Sequence, residues 1–184
     1  MMAKVYEKIK PAVPYAGLPA LLAAMLLLRA GNTDAFTLLM RGLIIIFGYA
    51  ASVNDLKAKR IPNELILGML AAWVLVMVPK LFLDTDVAVA LIVDSLIGFA
   101  IGGGVFLVVY MISRKGLGGG DVKFMAAAGL FLGFGGTIPA MLFGTVLAAL
   151  AGLVLMALKK ISRKDKMPLA QFLYVGILIT VFLQ

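Results

Sequence analysis

Two carboxylates stand where a membrane-embedded chain rarely places them: Asp55 and Asp121, each at the margin of a long apolar run. Asp121 follows a charged, glycine-packed break, Ser113-Arg114-Lys115-Gly116-Leu117-Gly118-Gly119-Gly120, and is itself followed by Val122-Lys123. Asp55 opens the polar stretch Asp55-Leu56-Lys57-Ala58-Lys59-Arg60-Ile61-Pro62-Asn63-Glu64. Burying a carboxylate in or beside lipid is costly unless something else is gained, so an ionisable residue there is a functional candidate. Glycines around Asp121 let the backbone take positive φ and let another chain segment come close. Two carboxylates at short range do not both ionise easily; one keeps its proton and the other stays charged. Such a pair offers a base for a water molecule and an acid for a leaving amide nitrogen, and it titrates as a unit. Each residue also has a plainer reading: Asp121 as a helix N-cap, Asp55 as a solvated residue of a Lys/Arg-rich loop.

The elements that must position these groups follow from composition. Of the 184 residues, 63% are hydrophobic and 14% charged, and the mean hydropathy is +1.09. These values describe an all-α, polytopic transmembrane bundle with no room for a soluble domain. Apolar runs place seven spans at about 12–29, 36–54, 64–83, 88–112, 122–135, 138–158 and 168–184, or six if the short fifth does not cross. Gly135-Gly136-Thr137 ends that fifth span, which is expected to tilt, thin the bilayer or pass into the sixth through a tight turn. Residues 1–184 read as one membrane domain, with an extra N-terminal helix in 1–35 and the core in 36–184. Met1 to Lys10 reads as a signal anchor that is retained.

Charge sets the orientation. With the N-terminus cytoplasmic, the cytoplasmic breaks hold Lys4, Lys8, Lys10, Lys57, Lys59, Arg60, Arg114, Lys115, Lys123, Lys159, Lys160, Arg163, Lys164 and Lys166. That is fourteen of the seventeen Lys and Arg, leaving Arg29, Arg41 and Lys80 outside. The positive-inside rule therefore places both aspartates at the cytoplasmic boundary of a cell membrane. Topology accounts for the net charge of +8, and no nucleic-acid partner is implied.

The chain has no Cys and no His, which excludes thiol or imidazole catalysis, HExxH zinc sites and disulfides. Catalysis must come from carboxylates, Lys, Ser/Thr or Tyr; no metal and no cofactor is expected. Asp94, beside Ser95 in the fourth span, reads as a structural polar contact near the outer boundary. Lys123 reads as a snorkelling anchor, or as a group that binds substrate backbone or lowers the pKa of Asp121. Pro62 and Asn63 supply helix-start chemistry for the third span. Gly98, Gly102, Gly103 and Gly104 allow close helix approach.

The two aspartate motifs resemble those of the type IV prepilin peptidases, GxGD-type intramembrane aspartyl proteases: an aspartate shortly before Ile61-Pro62-Asn63, then Gly118-Gly119-Gly120-Asp121-Val122-Lys123. Ala126 to Gly133 and Met167 to Leu173 are similar to later segments of that family, so the likeness runs from about residue 40 to the end. The resemblance implies an aspartic endopeptidase of the cytoplasmic membrane face that removes basic leaders from prepilin-like or pseudopilin-like substrates, cutting after a Gly. It implies Asp55 and Asp121 as the catalytic pair, and Gly118 and Gly120 as the motif glycines that let the site close. Longer members carry an early Cys-rich insertion associated with N-methylation; this chain lacks it, so methyl transfer is not expected. The short form resembles peptidase-only members, including those serving tight-adherence pili, and archaeal preflagellin peptidases. A small transporter relaying protons or cations through carboxylates is the alternative from another class. A presenilin-like protease shares GxGD but pairs it with Tyr-Asp, where this chain has Asn54-Asp55.

Overall fold

A computed structural model describes residues 13–29, 31, 33–113, 117–160 and 167–184. Among these residues the secondary structure is all helical: α1 Val13–Arg29, α2 Ala35–Ala58, α3 Asn63–Leu83, α4 Thr85–Ile112, α5 Gly119–Ala157 and α6 Ala170–Leu183. α2, α3, α4 and α5 are each long and apolar enough to cross a bilayer. The signal-anchor segment, Arg114 to Gly116 and the basic cluster at 161–166 lie outside the described residues.

Local chemistry sets the ends of these helices. Asp34 caps α2, its carboxylate accepting a hydrogen bond from the Thr37 N–H at 2.9 Å. That bond holds the Asp34 carboxyl below the usual carboxylate range. α2 stops at Lys59, which takes a left-handed φ of 52° and donates its N–H to the Asp55 carbonyl, a single-residue stop signal. α2 therefore runs past the expected end at residue 54, and Asp55 lies in its last turn. Pro62, not Asn63, is the N-cap of α3: its fixed φ suits the entry, and Asn63 is left as the first helical residue. Asp84 alone separates α3 from α4, which folds the two into a tight hairpin.

The main departure from expectation is in α5. The break expected at 135–137 is helical, and the chain instead turns at Gly133, where φ is 63° and ψ −172°. That region of backbone space is open essentially to glycine alone. The turn is a reversal. A methyl group built at Gly102 would lie 3.1 Å from the Met125 carbonyl carbon and 3.3 Å from Thr137 Cγ2. In a straight helix those two residues would be about 18 Å apart along the axis. Gly98 likewise meets both Gly129 and Gly133. α5 is thus two antiparallel arms, 119–132 and 134–157, which makes seven helical segments among the described residues, with the fifth break moved to Gly133. Polar groups hold the reversal: Phe134 N–H donates to Asp94 Oδ1 at 3.1 Å, Thr137 Oγ1 donates to the Gly133 carbonyl at 2.6 Å, and Gln184 Nε2 donates to the Gly135 carbonyl at 3.0 Å. Asp94 thus has the structural role read for it: it caps the second arm.

Small residues let these helices touch. Side chains at Gly98 or Gly102 of α4 would overlap the first arm's backbone, and one at Gly103 would lie 2.9 Å from Ala126 Cβ; Gly104 faces open space. Gly176 of α6 packs on Ala140 and Gly144 in the same way. Gly48 of α2 admits the Tyr174 ring of α6, since a Cβ there would lie 2.6 Å from Tyr174 Cδ2. Lipid supplies no hydrophobic drive between helices, so backbone contact and dispersion are what join them. The first arm is the core, with Phe124, Met125, Ala127 and Ala128 fully buried. Leu67, Leu75, Phe82 and Met111 are largely exposed, as the outside of a bundle in lipid should be.

Candidate active site

Asp55 comes from the last turn of α2 and Asp121 from the first turn of α5; both are buried, at 6% and 9% exposure. The first arm carries Asp121 about 18 Å from the Gly133 reversal, so Asp94 belongs to the other end of the bundle. Asp55 Oδ2 accepts a hydrogen bond from the Ala170 N–H at 3.0 Å. Ala170 opens α6, so one free N–H of that helix start is satisfied by a carboxylate from a different helix. Asp121 Oδ2 accepts from the Gly118 N–H at 3.2 Å, while the Asp121 N–H donates to the Gly118 carbonyl at 3.1 Å. The plainer reading of Asp121 is thus correct in part: it caps its helix by reaching back from the third position. That bond leaves its other oxygen uncommitted among the described contacts. The two carboxyl groups lie within electrostatic reach of each other. Two residues 66 positions apart in the chain are therefore brought to one buried place.

Two contacts hold the loop after Asp55 against the start of α5. Ile61 is buried, and a Cβ added to Gly120 would sit 3.3 Å from Ile61 Cβ and 3.4 Å from its backbone nitrogen. Lys123 Nζ donates to Asn63 Oδ1 at 3.0 Å. The Ile-Pro-Asn segment is therefore the strap that ties one aspartate's helix to the other's. These residues stand in the sequence as a motif, and the only local sign of this tie is an apolar Ile61 directly after the basic Lys59-Arg60. Asn63 reads in the sequence as a capping residue, whereas its side chain serves Lys123.

Of the two properties expected of the glycines before Asp121, close approach holds and positive φ does not, at the described positions. Gly118 has an ordinary extended backbone, φ −80° and ψ 137°, and among the described residues Gly133 alone is a glycine with positive φ. Gly120 is needed for close approach by Ile61. Gly118 is needed because a side chain there would lie 2.8 Å from Asp121 Oδ2. Glu64 is exposed at the start of α3.

Chemically, the arrangement is a pair of buried carboxyl groups, each with one backbone N–H fixing its orientation. A buried pair of this kind can share one proton and act on a water molecule held between them. The model of the type IV leader peptidase family matches this chain over residues 42–155, a span that includes both aspartates. No curated protein and no solved structure matches the chain.

Proposed function

The chain belongs to the type IV leader peptidase family, and we propose that it is an aspartic endopeptidase that removes basic leaders from prepilin-like membrane-anchored proteins at the cytoplasmic face. The observation that carries this reading is the burial of Asp55 and Asp121 within electrostatic reach of each other. In the proposed reaction the ionised carboxylate takes a proton from water as its oxygen attacks the scissile carbonyl carbon. The protonated partner then gives its proton to the leaving nitrogen as the C–N bond breaks. The products are a leader ending in a carboxylate and a mature chain with a free amine. Preorganisation by the Ala170 and Gly118 N–H groups fixes both carboxyls before substrate arrives.

The position of the site suits such a substrate. Both aspartates sit at helix ends, and most Lys and Arg of the chain fall in the breaks on that side. A substrate held by its own apolar helix presents its leader junction at the same boundary. Co-expression with a model prepilin, carrying a basic leader and a Gly before its apolar helix, tests the proposal by gel shift. Asp55→Asn and Asp121→Asn are each expected to lower cleavage by roughly 10²–10⁴-fold while the protein still inserts. Cleavage retained by either variant overturns the assignment.

A further inference from the structure

We propose that a groove between α4 and the second arm of α5 is the dock for the apolar helix of the membrane-anchored substrate; this rests on the peptidase reading above. The groove encloses about 760 Å³, room for a row of side chains. Its walls are Ile101, Val105 and Val109 on α4 and Ile138, Leu142 and Val146 on the second arm. Each set repeats every four residues, so each forms a single ridge along its helix. Gly98 meets Gly133 and Gly102 meets Thr137, so the two helices run in the same direction and the ridges lie side by side. Parallel ridges at that spacing leave a furrow that accepts the ridge of a third helix.

The lining makes no polar demand. Its one hydroxyl, on Thr145, donates to the Met141 carbonyl of its own helix at 2.7 Å, and the buried side chains of Phe106 and Met141 also line it. An occupant must therefore be apolar along its length. One end of the groove is continuous with the candidate active site: Leu117 and Leu169 close it. Leu117 immediately precedes the Gly118 whose N–H holds Asp121, and Leu169 precedes the Ala170 whose N–H holds Asp55. A helix seated in the furrow would leave it between the two elements that orient the carboxyls. The residues just beyond the end of the substrate's helix would then be delivered to the pair, which is where the leader junction lies.

The absence of Cys in the chain makes the test direct. Single cysteines at Val105, Leu142 and Val146, and at Leu67 and Leu75 on the exposed face of α3, are introduced into the Asp121→Asn protein. Each is oxidised in membranes against a model prepilin carrying one Cys at successive positions of its apolar helix. Cross-links are expected at the groove positions at least tenfold above those at Leu67 and Leu75, with the partner position moving toward the leader by one turn from Leu142 to Val146. Equal cross-linking of both faces, or groove positions labelled only by a photoactivatable lipid, overturns the dock. The otherwise unsubstituted protein, run in parallel for leader removal, separates the two readings. Cleavage without groove cross-links refutes the dock alone, and groove cross-links without cleavage refute the peptidase alone.

Discussion

Gly133→Ala is the substitution that tests the fold most sharply, because Gly135 two residues later provides an internal control. At Gly133 the backbone has φ 63° and ψ −172°, which costs a residue with a Cβ roughly 1–3 kcal/mol. The new methyl would also collide with the Asp94 carboxylate, whose Cγ would lie 2.9 Å from it. Displacing Asp94 breaks its bond to the Phe134 N–H, and a hydrogen bond to a charged group contributes about 1.5–3 kcal/mol. The two effects together predict a loss of about 2.5–6 kcal/mol, a large part of the roughly 5–15 kcal/mol typical of a folded domain. At Gly135 a Cβ meets open space and the backbone is helical. Gly135→Ala is therefore expected to be neutral or to stabilise by about 0.5–1 kcal/mol. Unfolding of both variants in mixed micelles, followed by circular dichroism against denaturing detergent, measures the difference. Equal midpoints for Gly133→Ala and Gly135→Ala would refute the placement of the reversal. A loss at Gly135 alone would restore the break at 135–137.

Ile61→Ala empties the contact that ties the Asp55 loop to Gly120 and is expected to cost about 2–5 kcal/mol, with leader cleavage falling alongside; unchanged cleavage and stability would show that the strap is dispensable. Gly129→Val places a branched side chain into the backbone of Gly98, so the protein is expected to lose its folded peak on gel filtration, whereas Gly104→Val, facing open space, keeps it. Asp34→Ala removes the α2 cap and is expected to cost about 1 kcal/mol at neutral pH. Since folding lowers the Asp34 pKa, its contribution is complete above the unfolded value near 3.8 and fades as pH falls through the lower folded value. The unfolding midpoints of Asp34→Ala and the parent should therefore converge in strong acid, and a gap that persists there would count against the cap.

The chain's own residues determined that it is a helical membrane protein, because apolar runs of sufficient length have few other places to go. They also determined which carboxylates are chemically conspicuous, since a chain with neither His nor Cys leaves few groups able to handle protons. The break in α5 was misplaced for a physical reason. Gly135 and Gly136 carry the usual turn signal, yet Gly133 turns because Asp94, from another helix, is there to cap the arm that follows. Ile61, Pro62 and Asn63 were legible as a motif but not as a strap, because their partners Gly120 and Lys123 come from a distant segment. The tertiary structure alone decided that Asp55 and Asp121 come within electrostatic reach of each other. Their approach depends on backbone contacts across glycine faces and on the start of α6 binding Asp55, and such long-range packing leaves no local trace in either segment.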